Sequence, residues 1–292
     1  MIHLDHVTKT FGKRKALSDL SLHVDRGELF GLLGHNGAGK STAFGILLGQ
    51  VRPDCGRVMV RGHAIPSQRS LALARVGAIF ESPCFYDYLS GFRNLEIFTR
   101  YTALIPRKEI EAAVELVGLR DRIHDPVRTY SHGMRQRLGL AQSLLPEPEL
   151  ILLDEPTEGL DPEGIHEIRN LILRLHRERQ LTVLLSSHLL AEVEMLCGRV
   201  AILREGELLY DGPWREIAGT APAFRLNLDD WALAGPVLER ADAVRSGGDL
   251  VRFRGDPADL IAALVHAGVR IRSVEPHRRT LEELYLEVIG RP

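Results

Sequence analysis

Gly34-His35-Asn36-Gly37-Ala38-Gly39-Lys40-Ser41-Thr42 is the stretch on which the reading of this chain turns. It fits G-x-x-x-x-G-K-[ST], a loop whose successive N–H groups curl around a phosphate. Ahead of it, Glu28-Leu29-Phe30-Gly31-Leu32-Leu33 is a short apolar run of the kind a buried strand needs. Behind it, Ala43, Phe44, Ile46, Leu47 and Leu48 recur at helical spacing until Gly49. The glycines free the backbone to curl, and the helix adds its positive end. Residues Gly34 to Thr42 are therefore expected to cradle nucleotide phosphates. Lys40 would reach the β- and γ-phosphates, and the Ser41 hydroxyl would ligate Mg²⁺.

The 292 residues allow one large domain and one small one, each with a core. A net charge of −2 gives no bulk attraction to nucleic acid or anionic lipid. Cys55, Cys84 and Cys197 lie far apart, fit no metal or disulfide spacing, and read as free thiols in a reducing cytoplasm. Met1-Ile2-His3-Leu4-Asp5-His6 has neither the basic nor the apolar region of a signal peptide. No apolar run approaches bilayer-spanning length, so any service to a membrane would run through a partner.

Working outward, Ile2 to Val7 alternates as a half-exposed strand does, Thr8 to Lys13 reads as a turn, and Ala16 to Val24 as a second strand. Phe11 in that turn could stack on a base or plug the gap between two strands. Val76 to Phe80 is a short buried strand ending at Glu81. The segment Ser82 to Thr102 gathers Phe85, Tyr86, Tyr88, Phe92, Phe98 and Tyr101, as either core or a partner-binding surface. Lys108 to Val117 is an amphipathic helix. Ser131 sits where an N-cap belongs, ahead of a helix carrying Met134, Leu138, Ala141, Leu144 and Leu145. Asp161-Pro162 caps and starts a long helix. After Gly212-Pro213 the pattern becomes strand (from Phe224), helix (from Pro236), hairpin about Gly247-Gly248, helix (from Asp256-Pro257), strand (from Val269) and helix (from Thr280). That order suggests a small ferredoxin-like split βαβ unit.

The second chemical element is Asp154-Glu155, delivered by the aliphatic run Leu150-Ile151-Leu152-Leu153. In an open α/β sheet, ligands collect at the carboxyl ends of such strands. Asp154 is placed to hold Mg²⁺ opposite Ser41, and Glu155 to orient or deprotonate the attacking water. His188 ends the strand-like run Leu181 to Ser187 in the same manner. A neutral imidazole there is expected to hydrogen-bond both a γ-phosphate oxygen and a carboxylate.

In this order the motifs resemble those of the ATP-binding subunit of an ABC transporter, over about residues 1 to 215. The loop Gly34–Thr42 is similar to the family's Walker A. Tyr130-Ser131-His132-Gly133-Met134-Arg135-Gln136-Arg137 resembles its signature, and Leu150–Glu155 its Walker B with the catalytic glutamate. Glu158-Gly159-Leu160-Asp161 resembles the D-loop, and His188 the switch histidine. Phe11 falls where the adenine-stacking aromatic belongs.

The resemblance implies a fold and a site. The fold class is α/β, a P-loop NTPase of the ABC ATPase type with a mixed-sheet core and a helical subdomain at about 82–145. This domain would span 1–220, and a small α+β ferredoxin-like accessory domain 221–292. Glu155 and His188 would be catalytic. Phe11, Gly34, His35, Asn36, Gly37, Ala38, Gly39, Lys40, Ser41, Thr42, Glu81, Ser131, Gly133 and Asp161 would bind ATP, and Ser41, Asp154 and Glu81 would hold Mg²⁺. Ser131 and the Gly133 backbone would face the γ-phosphate held by a second copy, making an ATP-dependent head-to-tail dimer.

Two departures from the family pattern stand out. His132 replaces a glycine, and its side chain is expected to point away from the phosphate. Glu81 replaces the usual glutamine, adding a negative charge beside the γ-phosphate. Glu81-Ser82-Pro83 and the aromatics after it are similar to bacitracin- and lantibiotic-resistance exporters. The expectation is an ATPase subunit on the cytoplasmic face of the membrane, energising a separate integral permease for export of a drug or antibiotic peptide, with no nucleic acid partner. Two rivals are a soluble ABC-type ATPase acting on ribosome or DNA, and a phosphate-loop kinase.

Overall fold

Ile2–Phe11 (β1) and Arg14–Val24 (β2) form an antiparallel hairpin that turns at Gly12, whose φ is +58°. The strand runs on as far as Phe11 through the turn expected at Thr8 to Lys13, because Lys9, Thr10 and Phe11 pair with Leu17, Lys15 and Arg14. Polar side chains do not stop a strand whose backbone is paired and whose face is wet. The computed structural model describes residues 1–102, 105–145, 147–215, 223–277 and 280–290.

Leu29–Leu33 (β3) is buried at every position, as a strand covered on both faces requires. It feeds the glycine loop and then Lys40–Leu47 (α1), followed by Cys55–Val60 (β4), His63–Ile65 (β5), Arg69–Leu73 (α2) and Val76–Ile79 (β6). Three helices come next in the chain: Gly91–Thr102 (α3), Arg107–Leu116 (α4) and His132–Leu144 (α5). Leu150–Asp154 (β7), Pro162–Arg179 (α6), Thr182–Ser187 (β8), Leu190–Leu196 (α7), Arg199–Arg204 (β9) and Glu207–Pro213 (β10) complete this part.

These strands form two sheets. One is antiparallel, in the order β2-β1-β4-β5. The other has the order β10-β9-β3-β8-β7-β6, with parallel pairing from β9 through to β6. Phe44, Ile46 and Leu47 of α1 share one buried cluster with Leu4, Leu17 and Val60 of the first sheet and Phe30, Leu152 and Leu184 of the second. Burying three such side chains on one short helix is worth roughly 5–8 kcal/mol against leaving them in water. The register positions the chemistry: Leu33 pairs with Ser187, and Asp154 with Ser186. Hence the glycine loop, Asp154-Glu155 and His188 all leave the sheet at one level and on one edge.

The chain divides into two compact units, Met1–Gly212 with the chain from Tyr285 onward, and Pro213–Leu284. The domain boundary expected at 220/221 lies outside the described residues. The second unit contains Ala223–Leu228 (β11), Trp231–Arg240 (α8), Val244–Arg245 (β12), Leu250–Arg252 (β13), Pro257–His266 (α9) and Ile271–His277 (β14). Its sheet is antiparallel in the order β12-β13-β11-β14, around Leu226, Leu238, Val251, Leu260 and Leu264. Helix α8 starts five residues before the expected Pro236, because Asp230 Oδ1 accepts the N–H groups of Ala232 and Leu233 at 2.8 and 3.1 Å. The final helix, Leu281–Gly290 (α10), opens on a capping box: Glu283 N–H donates to Thr280 Oγ1, and Thr280 N–H to Glu283 Oε2. The unit division cuts this helix, so Tyr285 to Gly290 group with the first unit.

Candidate nucleotide site

At the sheet edge lies a cavity of about 680 Å³, lined by His35, Asn36, Gly37, Gly39, Lys40, Ser41 and Thr42 of the loop. Phe11, Glu81, Asp154 and Glu155 line it too, together with Arg14, Ala16, Ser82, His132, Gln136, Glu158 and Gly159. Gly34 and Ala38 stand behind the loop and are buried.

The loop is held from several sides. Gly39 has φ +112°, and a Cβ there would sit 2.6 Å from the Ala16 carbonyl oxygen, so only glycine fits. The Ala38 carbonyl accepts from the Gly206 N–H at 2.9 Å, on the turn between β9 and β10. A trans peptide is planar, so the Gly39 N–H points the opposite way, toward the cavity that Gly39 lines. Arg14 Nη2 donates to the Gly37 carbonyl at 2.8 Å, which puts a second cation on the cavity lining with Lys40. Phe11 is half exposed, and the Lys9 ammonium sits 5.2 Å from its ring centroid. Lys9 and the Thr10 N–H are both held by the Asp54 carboxylate, at 2.9 and 2.7 Å. These two partners, Lys9 first, hold the Asp54 carboxyl below its ordinary pKa.

Lys40 is buried, with its ammonium 2.7 Å from the Gly34 carbonyl oxygen and 3.3 Å from Glu155 Oε1. Glu155 lies in the left-handed region at φ +49°, a conformation that costs of order 1 kcal/mol and must be held by its surroundings. Its N–H donates to Ser186 Oγ at 2.9 Å, and the same hydroxyl donates to Asp154 Oδ1. His188 Nδ1 and its backbone N–H both donate to Glu155 Oε2, at 2.9 and 3.2 Å. With Nδ1 held by the Glu155 carboxylate, Nε2 is the ring nitrogen left to meet a γ-phosphate oxygen.

The donor set facing the cavity suits a small hard cation: the Ser41 hydroxyl, the buried Asp154 carboxylate and the Glu81 carboxylate, all oxygen. Among the described residues no group of three or more His, Cys, Asp or Glu is arranged to hold a metal without other ligands. The oxygen donor set fits Mg²⁺, which binds through one or two carboxylates plus substrate phosphates.

The profile of the ABC transporter family matches residues 17–158. An ABC transporter ATP-binding protein of Bacillus subtilis (strain 168), YhcH, is 40% identical over 99% of this chain and 96% of its own length. The bacitracin transport ATP-binding protein BcrA of Bacillus licheniformis is 34% identical over 99% of this chain and 97% of its own. This chain belongs to the ABC transporter family. It is an ATP-binding subunit of the transporter class, and its chemistry is ATP hydrolysis. The dimeric bacterial ABC transporter cassette MJ0796 superposes with a TM-score of 0.67 at 25% identity, over 74% of this chain and 99% of the cassette.

Within that family frame, His132 and Gln136 of the signature line the Walker A cavity, but its Ser131 and Gly133 do not. Ser131, Gly133 and Asp161 line a second concavity instead. Ser131 caps α5, accepting the Met134 N–H at 3.3 Å, and Asp161 caps α6, accepting the Gly164 N–H at 2.9 Å. His132 faces the D-loop of its own chain. Its Nε2 lies 3.0 Å from the D-loop carbonyl of Glu158, and the ring lines both concavities. Glu81 lies on the cavity wall at φ +58°. Arg14 and Ser186 carry no sequence signal, and Gln136 enters only as part of the signature stretch. Gln136 is buried, lines the cavity and has an Oε1 without a hydrogen-bond partner. In the aromatic segment Phe92 is buried, while Tyr86, Tyr88 and Tyr101 are exposed. Among the described residues no helix is long and apolar enough to cross a membrane.

Proposed function

We propose that two copies of this chain close head to tail on ATP and drive a separate membrane permease for export. The observation that carries this reading is the separation of Ser131 and Gly133 from the cavity holding the Walker A loop, Asp154 and Glu155. One copy presents only half of what a γ-phosphate needs, and a helix N-terminus capped by Ser131 is a fitting other half. Phe11 stacks on adenine, and the loop from Gly34 to Thr42 binds the phosphates. Phosphate oxygens compete with Gly34 and Glu155 for the Lys40 ammonium, which leaves Glu155 free to orient water. Ser41, Asp154 and Glu81 hold Mg²⁺, which neutralises charge on the β- and γ-phosphates. His188 holds Glu155 in place and donates to the γ-phosphate. Loss of that phosphate removes the joint between the copies, so the dimer opens.

Full-length similarity to a bacitracin transport protein supports a drug or antibiotic peptide as cargo. The exposed tyrosines Tyr86, Tyr88 and Tyr101 suit the permease contact, on the cytoplasmic face of the membrane. The strand order of the second unit supports a ferredoxin-like split βαβ module with a structural or dimer-stabilising role. Glu155→Gln tests the core of the reading. It should retain ATP binding, abolish turnover and accumulate a dimer with ATP, and unchanged hydrolysis would sink it. Co-purification with a polytopic membrane protein supports the exporter reading, whereas stable capture of ribosomes or DNA overturns it.

A further inference from the structure

The last turns of α10 pack on the phosphate loop. Tyr285 is nearly buried, and its ring meets the imidazole of His35 edge to face, with centroids 5.6 Å apart and planes at 69°. His35 follows the first glycine of the loop and lines the nucleotide cavity, whereas Tyr285 does not. A second contact fixes the end of the helix. Arg204 Nη1 donates to the Ile289 carbonyl at 2.7 Å, a guanidinium placed on a helix C-terminus, where the dipole favours it. Arg204 closes β9 and immediately precedes the turn whose Gly206 N–H holds the Ala38 carbonyl. The helix end and the loop are thus tied to the same strand end, and they touch again through Tyr285 and His35.

We propose that Tyr285 is a positioning residue for ATP, holding His35 and with it the first half of the Walker A loop in the conformation that receives phosphate. This rests on the reading that the loop binds ATP. Val288, one turn further on, is also nearly buried, and burial raises the pKa of the Tyr285 phenol, as expected of a ring placed for packing rather than for ionisation. Linkage makes the effect reciprocal: if the helix end favours the ATP-binding loop, ATP favours the docked helix end.

The test is a double-mutant cycle on the full chain, reading the ATP dissociation constant, KM and kcat. Tyr285→Leu should weaken ATP binding and raise KM about fivefold, within the range an edge-to-face aromatic pair supplies, with kcat within about twofold. Tyr285→Phe keeps the ring edge and should bind like the wild type. In a His35→Ala background, Tyr285→Leu should add no further loss, because a residue acting through His35 has nothing left to act on. Wild-type affinity in a folded Tyr285→Leu, or full additivity in the double variant, overturns the proposal. Amide hydrogen exchange on the wild type gives a readout that needs no variant. Saturating ATP should slow exchange across 285–290, and an unchanged rate overturns it. A wild type that binds no ATP sinks the underlying reading instead, and this one with it.

Discussion

Ser186 Oγ stands 2.5 Å from Asp154 Oδ1 and at the same time receives the N–H of Glu155. One buried hydroxyl on β8 thereby fixes two consecutive acids at the end of β7, one proposed to hold the metal and one to act on water. Ser186→Ala removes both bonds. It should cost about 1–2 kcal/mol in a urea titration and lower kcat about tenfold or more, with a smaller change in KM. Wild-type turnover in Ser186→Ala would show that the left-handed geometry of Glu155 is held without it.

His132 bridges the signature to the D-loop through the Glu158 carbonyl. His132→Gly restores the residue usual in the family and removes that bridge. Amide exchange across 158–160 should accelerate by about fivefold, the scale of one modest hydrogen bond. Protection at 158–160 equal to that of the wild type would make the ring a bystander.

Asp54 provides a pH dependence with a definite sign. Its folded pKa lies below its ordinary value, first because Lys9 donates to it and then because the Thr10 N–H does. The stabilisation is therefore present above the unfolded carboxylate value near pH ~4 and disappears as pH falls through the lower, folded value. Asp54→Ala should be less stable than the wild type at neutral pH, with the gap closing only in acid. A gap that persists at the acid limit would mean the carboxylate works by packing rather than charge.

Thiol chemistry should divide the cysteines two to one. Cys55 and Cys84 are exposed, whereas Cys197 is buried and its pKa is pushed well up by that burial. A thiol reagent added to the native protein should label Cys55 and Cys84 promptly and Cys197 only on unfolding, as read by mass spectrometry of peptides.

The parts of the site legible in the sequence are those carried by continuous runs. Four aliphatics ending in Asp154-Glu155, and a β-rich run ending at His188, announce strands that deliver chemistry at their carboxyl ends, and the parallel register puts them on one edge. What stayed hidden depends on pairing between distant segments. Arg14 reaches Gly37 only because β1 and β2 turn at Gly12, and Ser186 matters only because it is registered with Asp154. In the second unit, Pro236 imitates a helix start and masks the stronger signal from Asp230, whose carboxylate caps the helix five residues upstream. Which ring nitrogen of His188 faces Glu155 is likewise not written in the sequence, because it follows from the course of the chain after β8.

The bond from Gly206 to the Ala38 carbonyl has a consequence for the sign of the loop's charge, beyond its shape. Gly206 lies at φ +84°, and a Cβ there would meet the Ala16 carbonyl oxygen at 2.7 Å, so any substitution must move the turn. If the turn lets go, the peptide between Ala38 and Gly39 is free to flip, exchanging an N–H aimed at the phosphate for a carbonyl. An attractive dipole then becomes a repulsive one. A position 167 residues beyond the Gly39 amide in the chain, outside the cavity lining, thereby holds the direction of that dipole.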